Sequence, residues 1–168
     1  MEEKKPYRAA VITLSDKGFA GEREDVSGPV IAERLTQAGY EIVCRTLLPD
    51  GIEPLLQELV RLCDETDVDL ILTTGGTGFT PRDLTPEATM LACERNVPGI
   101  AEAIRAHSMT ITPRGMLSRG VSVIRKHTLI VNLPGSPKAV SESMDAFLEA
   151  IPHALDMLRN TVQDCARQ

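Results

Sequence analysis

An apolar, β-branched run that stops on adjacent glycines constrains this chain more than any other feature. Residues 70–87, LILTTGGTGFTPRDLTPE, open as a buried strand, break at Gly75 and Gly76, and restart as a helix near Pro86. Without a Cβ at Gly75, Gly76 and Gly78, a ligand can reach the backbone, and N–H groups in such a turn can point at phosphate oxygens. Thr73, Thr74, Thr77 and Thr80 add hydroxyls, and Arg82 and Asp83 set a cation beside a carboxylate. A short glycine turn alone is a weak signal, compatible with a plain strand end and an Arg82–Asp83 surface pair. The far end strengthens it: Thr85, Pro86 and Glu87 are expected as N-cap, N1 proline and first-turn acid of the next helix.

The rest of the chain repeats the strand-to-helix pattern. Residues 7–14 are apolar nearly throughout, as in a parallel strand covered on both faces, and deliver Ser15, Asp16 and Lys17 at its carboxyl end. A polar loop leads to a helix opened by Ser27 and Pro29 and closed at Gly39. Residues 40–48 read as a second strand ending in Pro49, Asp50 and Gly51, a favoured turn. Open α/β sheets bind ligands at the carboxyl ends of their strands, so Asp50 is expected to face the same crevice as Asp83. Residues 52–63 carry a helical apolar stripe and 64–69 an acidic turn. Helices are expected over 86–94 and 100–109, with a break at 96–99 and a loop at 110–115. His107 reads as a solvated cation at a helix end. Residues 121–124 and 128–133 are strand-like around the basic turn of Arg125, Lys126 and His127. The second run ends in Pro134, Gly135, Ser136 and Pro137, a second ligand loop. A long helix over 138–158, kinked at Pro152, completes the pattern.

This alternation predicts a three-layer α/β/α sandwich around a largely parallel sheet. At 168 residues the chain suits a single domain over 1–168, with a folded core over 6–160. The net charge of −6 argues against a general nucleic-acid or anionic-membrane surface. No run approaches transmembrane length, and the first apolar stretch is too short for a cleavable signal. Cys44, Cys63, Cys93 and Cys165 lack the spacing of a zinc site and read as reduced thiols of a cytoplasmic protein.

The segment TTGGTGFTPRDLTPEAT resembles the signature of the molybdopterin-binding fold, in particular the small molybdopterin adenylyltransferases of the MogA and MoaB type. VITLSDKGFAGEREDVSGP, LLPD and MLSRGVSVIRKHTLIVNLPGSPKAV are similar to the same family, in the same order. The resemblance implies a reaction in which ATP and molybdopterin give adenylyl-molybdopterin and diphosphate. It implies Asp50 and Asp83 as catalytic acids, suited to Mg²⁺, which uses one or two carboxylates and keeps several waters. It implies Thr74, Gly75, Gly76, Thr77, Gly78, Arg82, Ser118, Pro134, Gly135 and Ser136 around the pterin and its phosphate, and Ser15 and Asp16 on the nucleotide side. Ser136 stands where relatives carry various residues. The resemblance also implies a homotrimer and hand-off of the product to a molybdenum insertion protein. Two alternatives stay open: a family member that keeps the fold without the activity, and a non-catalytic pterin carrier or assembly module.

Overall fold

The structure, a computed structural model, describes residues 5–160; Cys165 lies outside them. Its centre is a six-stranded sheet ordered β2-β1-β3-β6-β5-β4. Strands β1 (Arg8–Leu14), β2 (Glu41–Leu48), β3 (Leu70–Thr74) and β6 (Thr128–Leu133) run parallel. β5 (Ser122–Arg125) returns antiparallel to β6 across a hairpin, and β4 (Arg95–Asn96) pairs antiparallel with β5. The unbroken apolar runs have the reason anticipated: every residue of β3 and β6 is buried, as is β1 from Ala9 onward.

Successive side chains of a strand point to opposite faces, and the two cores follow that period. Ala9, Val11, Leu70, Leu72, Leu129 and Val131 pack with α2 (Ser27–Gln37), α5 (Pro98–Ile111), α6 (Pro137–Phe147) and α7 (Ile151–Leu158). Ala10, Ile12, Ile71 and Ile130 pack on the other face with α3 (Ile52–Glu65) and α4 (Thr85–Ala92). The result is the α/β/α layering expected.

Several elements differ from expectation. Where a loop was expected after β1, Ser15 caps a short helix, α1 (Asp16–Phe19), its hydroxyl accepting from Gly18 N–H at 3.0 Å. The helix expected over 138–158 is not merely kinked. It divides into α6 and α7 around a 3₁₀ turn at Leu148–Ala150, because Pro152 has no N–H and its ring excludes the carbonyl one turn earlier. The expected loop at 110–115 is mostly helical: α5 runs to Ile111 and a 3₁₀ turn follows at Pro113–Leu117. Thr85 is not an N-cap. Leu84 holds that position without a side-chain bond, and the Thr85 hydroxyl donates instead to the Gly75 carbonyl at 2.9 Å.

One ion pair pins the edge of the sheet opposite the ligand loops. Arg159 donates to both carboxylate oxygens of Asp69, which is only 3% exposed, and to the carbonyls of Lys5 and Pro6. Truncating one member of a buried pair strands the other, so Arg159→Ala is expected to cost about 3 kcal/mol. Chemical denaturation measures it; a loss below about 1 kcal/mol would mark the pair as a surface-type bridge.

Candidate active site

Parallel register brings the ligand loops together. Thr13 stands beside Thr74, Leu14 beside Leu48 and Thr74 beside Leu133, so four strands end at one level of the sheet. The chain leaves β1 for β2 on one side and later crosses to β3 on the other. The reversal lies between β1 and β3, where open α/β sheets form their ligand crevice. There a cleft of about 500 Å³ is lined by Thr13, Ser15, Asp25, Ser27, Thr74, Gly75, Gly135 and Ser136, among others.

The first turns of α2 and α6 border this cleft; the α6 end favours an anion there, while the Asp25 carboxylate already occupies the α2 end. Ser136 accepts from Ala139 N–H at 3.1 Å, so its hydroxyl caps α6. Pro134 and Gly135 are held by their carbonyls, which accept from Thr74 Oγ1 at 2.7 Å and Ser27 Oγ at 2.6 Å. Asp25 accepts from Gly28 N–H at 3.0 Å and Thr13 Oγ1 at 2.9 Å, which fixes the entry to α2. Asp25 and Ser27 were not singled out as site residues from the sequence. The available signal was the Asp-x-Ser-Gly pattern at a helix start, which is common enough to pass unnoticed.

The glycine turn forms the boundary between this cleft and an acidic cluster. Gly75 and Gly76 have φ of +93° and +70°. A Cβ at Gly75 would lie 2.4 Å from the Leu14 carbonyl oxygen, and one at Gly76 would lie 2.2 Å from Thr85 Oγ1 and 3.5 Å from Asp50 Oδ1. These glycines are therefore required by the turn's own packing as well as by its openness to a ligand.

Beyond the turn, Asp16 and Asp50 hold each other's backbone. Asp16 N–H donates to Asp50 Oδ2 at 3.0 Å, and Asp50 N–H to Asp16 Oδ1 at 3.1 Å. Arg82 does not pair with its neighbour Asp83. It grips Asp16 through Nε at 3.0 Å and Nη2 at 2.9 Å, and donates to the Asp50 carbonyl at 2.7 Å. Those bonds hold the Asp16 carboxyl below its ordinary range. Burial pushes the Asp50 carboxyl up, opposed by the Asp16 N–H and reinforced by the charges of Asp16 and Asp83. Asp83 Oδ2 accepts from Thr80 N–H at 2.9 Å.

Ser118 reaches the glycine turn through its neighbour: Arg119 N–H donates to the Thr77 carbonyl at 3.0 Å, and the Arg119 side chain bonds Gly78, Asp83 and Glu87. The residues assigned by resemblance thus fall on two sides. Ser15, Thr74, Gly75, Gly135 and Ser136 line the cleft, so Ser15, expected on the nucleotide side, shares it with Gly135 and Ser136, expected around the pterin. Asp16, Asp50, Gly76 and Arg82 meet beyond the glycine turn, while Thr77, Gly78, Asp83 and Ser118 are joined through Arg119.

Among the described residues no group of three or more His, Cys, Asp or Glu side chains is arranged to hold a metal alone. Asp50 and Asp83 at the carboxyl edge of the sheet still fit Mg²⁺, which uses only one or two carboxylates and completes its shell with water and substrate oxygens. Among the described residues no helix is long and apolar enough to cross a membrane.

A family model described as probable molybdopterin binding domain matches residues 10–153. The chain is 39% identical over 155 residues to the molybdopterin adenylyltransferase of Helicobacter pylori strain J99, covering 88% of this chain and 85% of that protein. It is 40% identical over 146 residues to the molybdopterin adenylyltransferase of Escherichia coli K12, covering 85% of this chain and 74% of that one. Among solved structures, the molybdopterin biosynthesis enzyme MoaB of Thermus thermophilus aligns with a TM-score of 0.87 at 45% identity, covering 92% of this chain and 97% of its own.

Proposed function

Because the chain belongs to the molybdopterin-binding domain family, we propose that it is a molybdopterin adenylyltransferase, joining ATP and molybdopterin into adenylyl-molybdopterin with release of diphosphate. The observation that carries the reading is the glycine turn, with a cleft of about 500 Å³ on one side and Asp50 on the other. Nucleotidyl transfer asks little covalent work of a protein. It needs a phosphate nucleophile aligned with the α-phosphorus, and groups that stabilise the charge that develops there.

A terminal phosphate oxygen of molybdopterin attacks the α-phosphorus of ATP, and the bond to the bridging oxygen of the diphosphate breaks. Mg²⁺ held with ATP by Asp50 and Asp83 would neutralise the triphosphate and the departing diphosphate. The glycine turn lets the reacting phosphates approach its backbone. Ser118 with the 134–136 loop orients the pterin, and Ser15 with Asp16 borders the nucleotide. Arg82, tied to Asp16 and the Asp50 carbonyl, keeps the acidic cluster in register.

The exposed Met109, Ile111, Met116 and Leu117 near the end of α5 support contact between copies of the chain; the homotrimer and the hand-off of product to a molybdenum insertion protein rest on the family resemblance. Cys44, Cys63 and Cys93 are free thiols, which supports a cytoplasmic setting.

Diphosphate release from ATP tests the reading. Release that depends on both molybdopterin and Mg²⁺ is expected; no release with all three present would overturn it. Asp50 adds a pH test. Its folded pKa is raised, so the folded chain holds this proton more tightly than the unfolded one. The stability this gives is fully present below the unfolded pKa and is lost as pH rises through the folded pKa. At neutral pH the ionised carboxylate therefore opposes folding. Asp50→Asn is expected to keep or raise the thermal midpoint, to lower turnover about a hundredfold, and to need more Mg²⁺ for what remains. A lower midpoint with unchanged magnesium dependence would make Asp50 a turn residue only.

A further inference from the structure

We propose that Arg119 is the positioning residue that sets Asp83 against the glycine turn, acting without touching either substrate. The inference rests on the adenylyltransferase reading for its kinetic consequence, but its geometry stands apart from it.

Residues 77–84 leave the sheet without regular secondary structure, and Phe79, Thr80, Pro81 and Arg82 are exposed. From within, the loop is braced by a single turn, Asp83 N–H to the Thr80 carbonyl at 3.0 Å with Thr80 N–H returning to Asp83 Oδ2 at 2.9 Å. That turn gives the loop a shape but does not place it on the protein. Two guanidiniums do: Arg82 ties the outer side of the loop to Asp16 and the Asp50 carbonyl, and the side that carries Asp83 is held by Arg119. The Arg119 Nε donates to the Gly78 carbonyl at 2.8 Å, Nη2 to the Asp83 carbonyl, and Nη1 to the Glu87 carboxylate on the first turn of α4. One guanidinium thus joins the two ends of the 78–83 segment to the helix that follows.

The backbone of the same residue fixes a second relation. Arg119 N–H donates to the Thr77 carbonyl at 3.0 Å, so Ser118, its neighbour, takes its place relative to the glycine turn from this contact. Residues on the pterin side, on the turn and at the acid therefore share one anchor. A lysine has the charge but not the planar fork, and cannot meet two carbonyls and a carboxylate in these directions.

If Arg119 positions, its loss moves Asp83 while leaving the substrate-contacting groups in the chain. Displacement of a reacting group by about 1 Å costs on the order of a hundredfold in rate. Arg119→Lys is therefore expected to lower kcat about a hundredfold with KM for ATP and molybdopterin changed less than about threefold. Glu87→Ala frees the guanidinium from α4 without removing it, and is expected to lower kcat in the same direction by a smaller factor.

The experiment measures kcat, both KM values and backbone amide hydrogen exchange across 77–84 in the wild type and the two variants. The proposal expects exchange to accelerate in that segment while β3 and β6 stay protected, together with the fall in kcat. Unchanged exchange overturns it, as does wild-type kcat in Arg119→Lys, or a rise in KM alone, which would make Arg119 a binding contact. Should the wild type release no diphosphate, the adenylyltransferase reading fails, and the exchange result still decides whether Arg119 holds the loop.

Discussion

Asp83→Asn is expected to reduce adenylyl transfer at least about a hundredfold while molybdopterin binding stays nearly unchanged. The carboxylate follows the glycine turn, where a phosphate ester's developing charge and a divalent cation would lie, and a neutral pterin ring has no need of its charge. The substitution preserves shape. Oδ2 of Asp83 accepts from Thr80 N–H, and an asparagine carbonyl can accept the same bond, so the loop should keep its conformation. What is removed is charge. Turnover at the wild-type level would exclude Asp83 from the chemistry; lost turnover with equally lost pterin affinity would make it a binding residue.

Gly76→Ala is the second large effect, and it strikes the fold as well as the ligand. The added methyl would sit 2.2 Å from Thr85 Oγ1, and the backbone there has φ of +70°. Overpacking and a left-handed backbone each cost roughly 1–3 kcal/mol, so a loss of about 3 kcal/mol is expected. For a chain of this size that lowers the thermal midpoint by roughly 6–12 °C. Affinity should fall too, since Thr85 holds the Gly75 carbonyl at 2.9 Å and must move. Gly135→Ala is the matching control. Its nearest neighbour would be Gly75 Cα at 3.5 Å, an ordinary contact, yet Gly135 lines the cleft. A midpoint close to wild type with weakened binding is expected there, and full affinity in Gly135→Ala would place the ligand elsewhere along the edge.

The contrast between those glycines shows what could be read from the sequence. The GGTG run announces a turn without Cβ atoms, because only glycine permits that backbone. Its packing against Leu14 and Thr85 joins residues far apart in the chain and has no local signal. The layered fold was legible for a related reason: apolar runs such as LILTT and TLIVNL satisfy buried parallel strands and little else. Pro152 announced a disturbance, but whether a proline kinks or divides a helix depends on what packs around it. Asp50 was legible as the end of a strand. Its reciprocal bonds with Asp16, and the pairing of Arg82 with Asp16 rather than Asp83, follow from strand order. Arg119 was visible only within a matching stretch. A guanidinium that bonds residues 78, 83 and 87 leaves no spacing to detect.

The central claim is the transfer of an adenylyl group. It is tested most directly by supplying ATP labelled on its α-phosphorus and, in a parallel reaction, on its γ-phosphorus, with molybdopterin and Mg²⁺. The account predicts that the α label appears on the pterin and the γ label in diphosphate, both requiring Asp83. A γ label on the pterin would mean phosphoryl transfer, and a pterin carrying neither label would mean a binding protein; either result would contradict it.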